Sequence, residues 1–204
     1  MNANTKTLIA VGRQFCADFV AAPYVCYTEH GQHAYFFALL YAAFPKSSRY
    51  VKFNGHRLCV IQKEYPTATK LGRSKRQHWG ISVIKVPPPT ANCTGYDYLP
   101  LQAVAEFGMN ENIYHLKSDI DRLTHRDANV RDKFAFHLYR FSAGGRRVSR
   151  RDWSANSRSA DSLESIAKTV VDTDVTLFFA VSDRTGRHTN GAWLIRNQNI
   201  SQFA

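Results

Sequence analysis

Apolar residues recur at helical spacing over 6–20, at Leu8, Ile9, Val11, Phe15, Phe19 and Val20, and Pro23 ends that element. Thr28 stands where an N-cap is wanted for a second helix over 30–44. That helix is apolar nearly all round from Ala34 to Phe44, which predicts a core helix, and Pro45 stops it. The pattern then changes period. Strands are predicted over 50–53 and 57–64, joined at Asn54-Gly55, a strong hairpin signal. A basic loop over 67–77 leads to a strand over 78–86, apolar at Trp79, Ile81, Val83 and Ile84. A proline-rich loop precedes a strand over 101–109. An amphipathic helix over 112–125 follows, with Ile113, Leu116, Ile120 and Leu123 on one face. The spacing next predicts an alternating strand over 134–141, an arginine-rich loop from Gly144-Gly145, and a helix over 162–173 capped by Asp161 or Ser162. An apolar strand over 175–181, a hairpin turn over 182–188 and a last strand over 192–195 close the chain.

Strands enter as a meander and then alternate with helices. That order predicts an α/β protein with a mixed central β-sheet flanked by helices. The 204 residues suit a single domain over 1–204, with a core of about 28–141 and a C-terminal helix–strand extension over 142–204.

Composition adds exclusions. Hydrophobic residues make up 44% and aromatics 13%, ample for a packed core, so disorder is not the expectation. No apolar run approaches the ~20 residues that span a bilayer. Residues 1–13 lack the features of a signal peptide, so a cytoplasmic protein without a membrane partner is expected. Cys16, Cys26, Cys59 and Cys93 are widely spaced with no CxxC pair, and are expected as buried apolar residues rather than zinc ligands. His30 and His33 form a tight pair, but no cysteine or carboxylate stands at matching spacing, so no metal site is expected there. Phosphate-cradling glycine loops, GxSxG and hydrolase-triad spacing are absent from the sequence.

The formal charge of +11 is unevenly spread. Residues 45–87 carry ten Lys/Arg against Glu64 alone, and residues 140–158 carry six arginines against Asp152. Residues 97–133 between them hold seven acids against five bases. Two basic blocks around an acidic centre suggest phosphate-binding surfaces beside a carboxylate-lined site. Nucleic acid, with DNA as the expected polymer, is therefore the expected partner. Lys63, Lys70, Arg73, Lys75, Arg76, Arg146, Arg147, Arg150 and Arg151 are the expected contacts. An acidic protein partner for the same basic face is the alternative.

A core helix with Glu29 near its start, two adjacent strands, then the run Ala103-Val-Ala-Glu-Phe-Gly-Met109 and the helix around Tyr114-His-Leu-Lys117 form a pattern. It resembles the PD-(D/E)XK, or restriction-endonuclease-like, nuclease superfamily over about 28–141. The resemblance implies a DNA endonuclease, or an inactive relative serving as a subunit of a larger nucleic-acid complex. It further implies a Mg²⁺ site with Glu106 as the strand acid and Glu29 as the helix acid. Two departures make the site degenerate. Gly80 stands at the usual aspartate position and Gly108 at the usual lysine position. Asp97 or Glu64 is then the expected second metal ligand beside Glu106, and Lys117, Lys63 or Lys85 the expected replacement lysine. For Glu106 itself, a salt bridge to a core-edge arginine is the competing expectation.

Overall fold

The computed structural model describes residues 3–53, 55–67, 69–85, 99–141, 163–186 and 188–204. Helix α1 (Ala3–Ala21) and helix α2 (Glu29–Ala43) come first. A two-stranded ribbon follows, β1 (Tyr50–Phe53) with β2 (His56–Cys59). Next are β3 (Ile61–Pro66), β4 (His78–Ile84), β5 (Leu101–Met109), helix α3 (Ile113–Thr124) and β6 (Asp132–Phe141). The short helix α4 (Leu163–Lys168) precedes β7 (Val175–Asp183), β8 (Gly191–Arg196) and β9 (Asn199–Gln202).

Strands β3 to β9 form one mixed sheet in sequence order. The β5–β6 and β6–β7 pairs are parallel, and the others are antiparallel. Apolar clusters cover both faces. One holds Leu8, Phe15, Phe36 and Leu40 from α1 and α2 against Ala103, Ala105 and Phe107 of β5. The other holds Leu116, Ile120, Leu123 and Ile166 from α3 and α4 against Val104, Ala135 and Leu177. The molecule is thus a helix–sheet–helix sandwich. Its parallel strands, buried on both sides, read as near-continuous apolar runs for that reason.

Register explains the centre of the core. Phe107, Phe136 and Phe178 are cross-strand partners of one another in turn. Their rings stack 4.7 Å apart at interplanar angles of 6° and 4°. Phe15 of α1 meets Phe107 and Phe136 edge-on at 5.9 and 5.5 Å. Such pairs add about 0.5–1.5 kcal/mol each beyond the area they bury.

Three expectations are corrected. Helix α2 is not a core helix: Gln32, His33, Phe36 and Leu40 are buried, while Ala34 and Ala38 face solvent. It lies in an outer layer, where one stripe only can meet the sheet. The strand over 57–64 is two strands in two sheets. The chain breaks at Val60, with β2 closing the ribbon and β3 opening the main sheet. The helix over 162–173 is shorter, and residues after Lys168 turn toward β7. Strand β9, polar and exposed, had no alternating signal to reveal it.

Candidate functional site

A cleft of about 190 Å³ opens near the C-terminal end of β5, lined by residues of five elements. Helix α2 brings Glu29, His30 and His33. Strand β3 brings Glu64, and β4 brings His78 and Gly80. Strand β5 brings Glu106, and α3 brings His115, Asp119 and Arg122. Local capping sets both helices. Thr28 accepts the Gly31 N–H, and Asn112 accepts the N–H groups of Tyr114 and His115. Each helix therefore starts at the cleft and presents its first-turn side chains there.

Glu106 is buried, and its carboxylate pairs with Arg122 at 2.9 Å. Arg122 also reaches Asp119 at 2.9 Å, and His115 lies 3.3 Å from Asp119. Burial pushes the Glu106 carboxyl well above its ordinary range, and Arg122 and the Gly80 N–H pull part of the way back. Asp119 bonds to and attracts a charged His115, which raises that imidazole's pKa against its partial burial. The acid expected to hold a metal is thus held by a guanidinium.

The two glycines are not empty places. A Cβ on Gly80 would lie 3.1 Å from the Ala105 carbonyl oxygen and 3.2 Å from His33 Nε2. A Cβ on Gly108 would lie 3.3 Å from His115 Nδ1 and 3.4 Å from His137 Nδ1. At these two positions the chain packs imidazoles from α2, α3 and β6.

A second group sits in the same cleft. His33 Nδ1 is 2.9 Å from Glu64 Oε1, and His30 Nδ1 is 3.9 Å from the same oxygen. Ligand atoms of His30, His33 and Glu64 all lie within 4.8 Å of one another. Glu29 Oε1 is 4.0 Å from His33 Nε2, which is buried and makes no hydrogen bond. Burial lowers the His33 pKa, against the opposing pull of Glu64, and so favours the neutral ring. The structure supplies, in Glu64, the carboxylate that the sequence does not place beside His30 and His33. The carboxylate is 31 residues further along the chain, so no local spacing could reveal it.

Of the other expected site residues, Lys117 is exposed on α3, 5.9 Å from the Tyr114 ring, and does not line the cleft. Lys63, Lys70 and Lys75 are exposed. Arg73 donates to Ser118 Oγ, and Arg76 donates through Nε and one terminal nitrogen to the Thr67 carbonyl at 2.9 and 2.8 Å. Arg76 thus closes its own loop. Asp97, Arg146, Arg147, Arg150 and Arg151 lie outside the described residues. Cys16 and Cys26 are buried, as composition predicts, Cys59 is half-buried, and Cys93 lies outside the described residues.

Exposed tyrosines were missed. Tyr24, Tyr27 and Tyr114 are 49%, 72% and 75% exposed. Arg140 at the end of β6 lies over the rings of Tyr24 and Tyr27, at 4.5 and 5.2 Å, and donates to the carbonyls of Pro23, Cys26 and Tyr27. Tyr27 precedes the Thr28 cap of α2, and Tyr114 is the second residue of α3, the two long helices that line the cleft. The signal available was three tyrosines at loop–helix junctions.

No helix among the described residues is long and apolar enough to cross a membrane. The chain matches no protein-family model, no curated protein and no solved structure.

Proposed function

We propose that this protein binds nucleic acid, DNA being the expected polymer, on a restriction-endonuclease-like scaffold, and that it does so without the strand acid–lysine Mg²⁺ site of that superfamily. The observation that carries the reading is where the basic loop hangs. Residues 67–77 connect β3 to β4, the strands that bring Glu64, His78 and Gly80 to the cleft. The loop leans on α3 through Arg73 and Ser118. Exposed Lys63, Lys70 and Lys75 therefore stand beside a carboxylate-lined cleft.

Support for the scaffold comes from the order of elements: the outer helix α2, the β1–β2 ribbon, the β3–β4–β5 meander, α3 and the parallel strand β6. Glu106 on β5 is the residue that the resemblance makes the strand acid. Its pairing with Arg122, and the imidazoles packed at Gly80 and Gly108, favour a binding role over Mg²⁺-dependent cleavage. The exposed tyrosines with Arg140 suit stacking on unpaired bases. A binding subunit of a larger nucleic-acid complex fits this set of features.

Fluorescence anisotropy with labelled oligonucleotides over a salt series tests the reading. Binding is expected to weaken steeply with salt, because neutralised phosphates release counterions. Replacing Lys63, Lys70 and Lys75 together by Gln should lower the slope of log K against log salt by roughly 2–3, near 0.9 per lost phosphate contact. Absence of binding at low salt, or an unchanged slope in the triple variant, overturns it.

A further inference from the structure

We infer that His30, His33 and Glu64 form a binding site for a divalent transition metal of the zinc class, with Glu29 orienting His33. The donor set is two imidazoles and one carboxylate, which suits Zn²⁺, Co²⁺ or Fe²⁺ better than Mg²⁺, an ion that prefers an all-oxygen shell. Donor atoms bound tetrahedrally at ~2.0–2.1 Å from an ion stand about 3.3 Å apart. The two distances to Glu64 Oε1, 2.9 Å from His33 and 3.9 Å from His30, straddle that value.

Two independent features point to a ligand at this place. The first is the backbone of Glu64. Strand β3 pairs Lys63 with Ile81 and Tyr65 with Trp79, leaving Glu64 out of the ladder with φ at 53°. A non-glycine residue in the left-handed region costs of order 1–3 kcal/mol and persists where surrounding structure enforces it, often at functional sites. Here the irregularity aims the carboxylate at the histidine pair.

The second feature is His33 itself. Its side chain is 5% exposed, yet Nε2 has no hydrogen-bond partner, and its nearest carboxylate is Glu29 at 4.0 Å. With Nδ1 on a metal, Nε2 carries the proton and faces Glu29. Glu29 thus stands on the side from which a carboxylate completes the carboxylate–histidine–metal relation that fixes the tautomer of metal-bound imidazoles, and closing its 4.0 Å gap is what metal binding would require of it. Gly80 leaves the room, since a Cβ there would press on Nε2 at 3.2 Å. The side chains of His30 and Glu64 are 77% and 43% exposed, so an ion has an entry path and keeps a coordination position open to the cleft.

The site does not depend on nucleic-acid binding, and its test uses metal alone. The full chain, stripped with chelator, is titrated with Zn²⁺ by calorimetry and with Co²⁺ by its visible ligand-field bands. One equivalent is expected to bind with micromolar or tighter affinity. His30→Ala and Glu64→Gln change exposed groups and leave the fold intact, which circular dichroism checks. Each should weaken Zn²⁺ binding at least 100-fold and abolish the cobalt bands. Glu29→Gln should weaken it about 10-fold, within the range for an orienting carboxylate, while leaving the cobalt bands in place. His56→Ala, on the exposed β1–β2 ribbon, should change nothing. Absence of one-equivalent binding overturns the proposal. So does binding that His30→Ala and Glu64→Gln leave unchanged, because the ion would then sit on other side chains.

Discussion

Asp183 ends β7 inside a ring of donors. Its carboxylate accepts from the Thr185 N–H at 2.5 Å, the His188 N–H at 2.6 Å and the His188 ring at 3.0 Å. Burial alone would raise its pKa. The hydrogen bonds outweigh it and hold the carboxyl near a pKa of about 2. The folded value lies below the ordinary ~3.9, so this stabilisation is present above pH ~4 and lost as pH falls toward 2. Asp183→Asn should cost roughly 2 kcal/mol at pH 7 and flatten the stability profile between pH 4 and 2, read by urea denaturation. The same scale tests the two glycines. Gly80→Asp with Gly108→Lys rewrites the superfamily's residues, yet both side chains meet packed imidazoles. The double variant should lose roughly 1–3 kcal/mol and gain no Mg²⁺-dependent cleavage, read by thermal melting and a nuclease assay. Packing, not the sequence, sets His33 beside Gly80, and His115 and His137 beside Gly108.

At the scale of elements, α3 acts as a clamp on β5. Arg122, in the last turn of the helix, spans Glu106 and Asp119 and lies 5.8 Å from the Trp79 ring. Removing it leaves a buried carboxylate whose pKa is already raised by burial. Arg122→Met should cost roughly 3–5 kcal/mol at neutral pH. Adding Glu106→Gln should recover part of that, because the uncompensated charge is gone. A double-mutant cycle in urea measures both. Non-additivity near zero would mean that the pair contributes nothing beyond its separate contacts. The element itself was legible: its apolar positions Ile113, Leu116, Ile120 and Leu123 fall in a helix as the periodicity predicts, with Asn112 as its cap rather than its first residue. That the helix would deliver an arginine rather than Lys117 to Glu106 was not. Lys117 and Arg122 lie five residues apart on different faces, and the side facing β5 depends on the crossover to β6.

At the scale of the molecule, the sheet buries one histidine completely. His137 of β6 shares a 2.8 Å hydrogen bond with the Tyr139 hydroxyl. Burial, with repulsion from His115, pulls its pKa from 6.5 to about 3. The folded protein holds it neutral and the unfolded chain protonates it near 6.5, so its contribution is full above that pH and erodes as pH falls toward 3. The urea midpoint should decline from pH 6.5 downward, and His137→Gln should flatten that decline. A slope equal to the parent's would remove His137 as its source. The surface offers a second whole-molecule test. Tyr27→Ala and Tyr114→Ala should each weaken single-stranded oligonucleotide binding by about 1–3 kcal/mol, with duplex binding little changed. Equal losses on duplex would point to phosphate contacts instead.

The amino-acid sequence by itself determined the α/β class, the sheet's principal strands, the Thr28 cap of α2 and the concentration of positive charge in 45–87, while the cap expected at Asp161 or Ser162 lies outside the described residues. Each of these is written in local periodicity, in turn chemistry or in a count along the chain. The tertiary structure alone decided which face α2 buries, where β2 and β3 part, that Glu106 meets Arg122, and that Glu64 joins His30 and His33. Those outcomes depend on side chains distant in the chain, from Glu106 and Arg122 on neighbouring elements to Gln32 and Met109, 77 residues apart, meeting across strands and helices. Neither a period of 2 nor one of 3.6 carries that information.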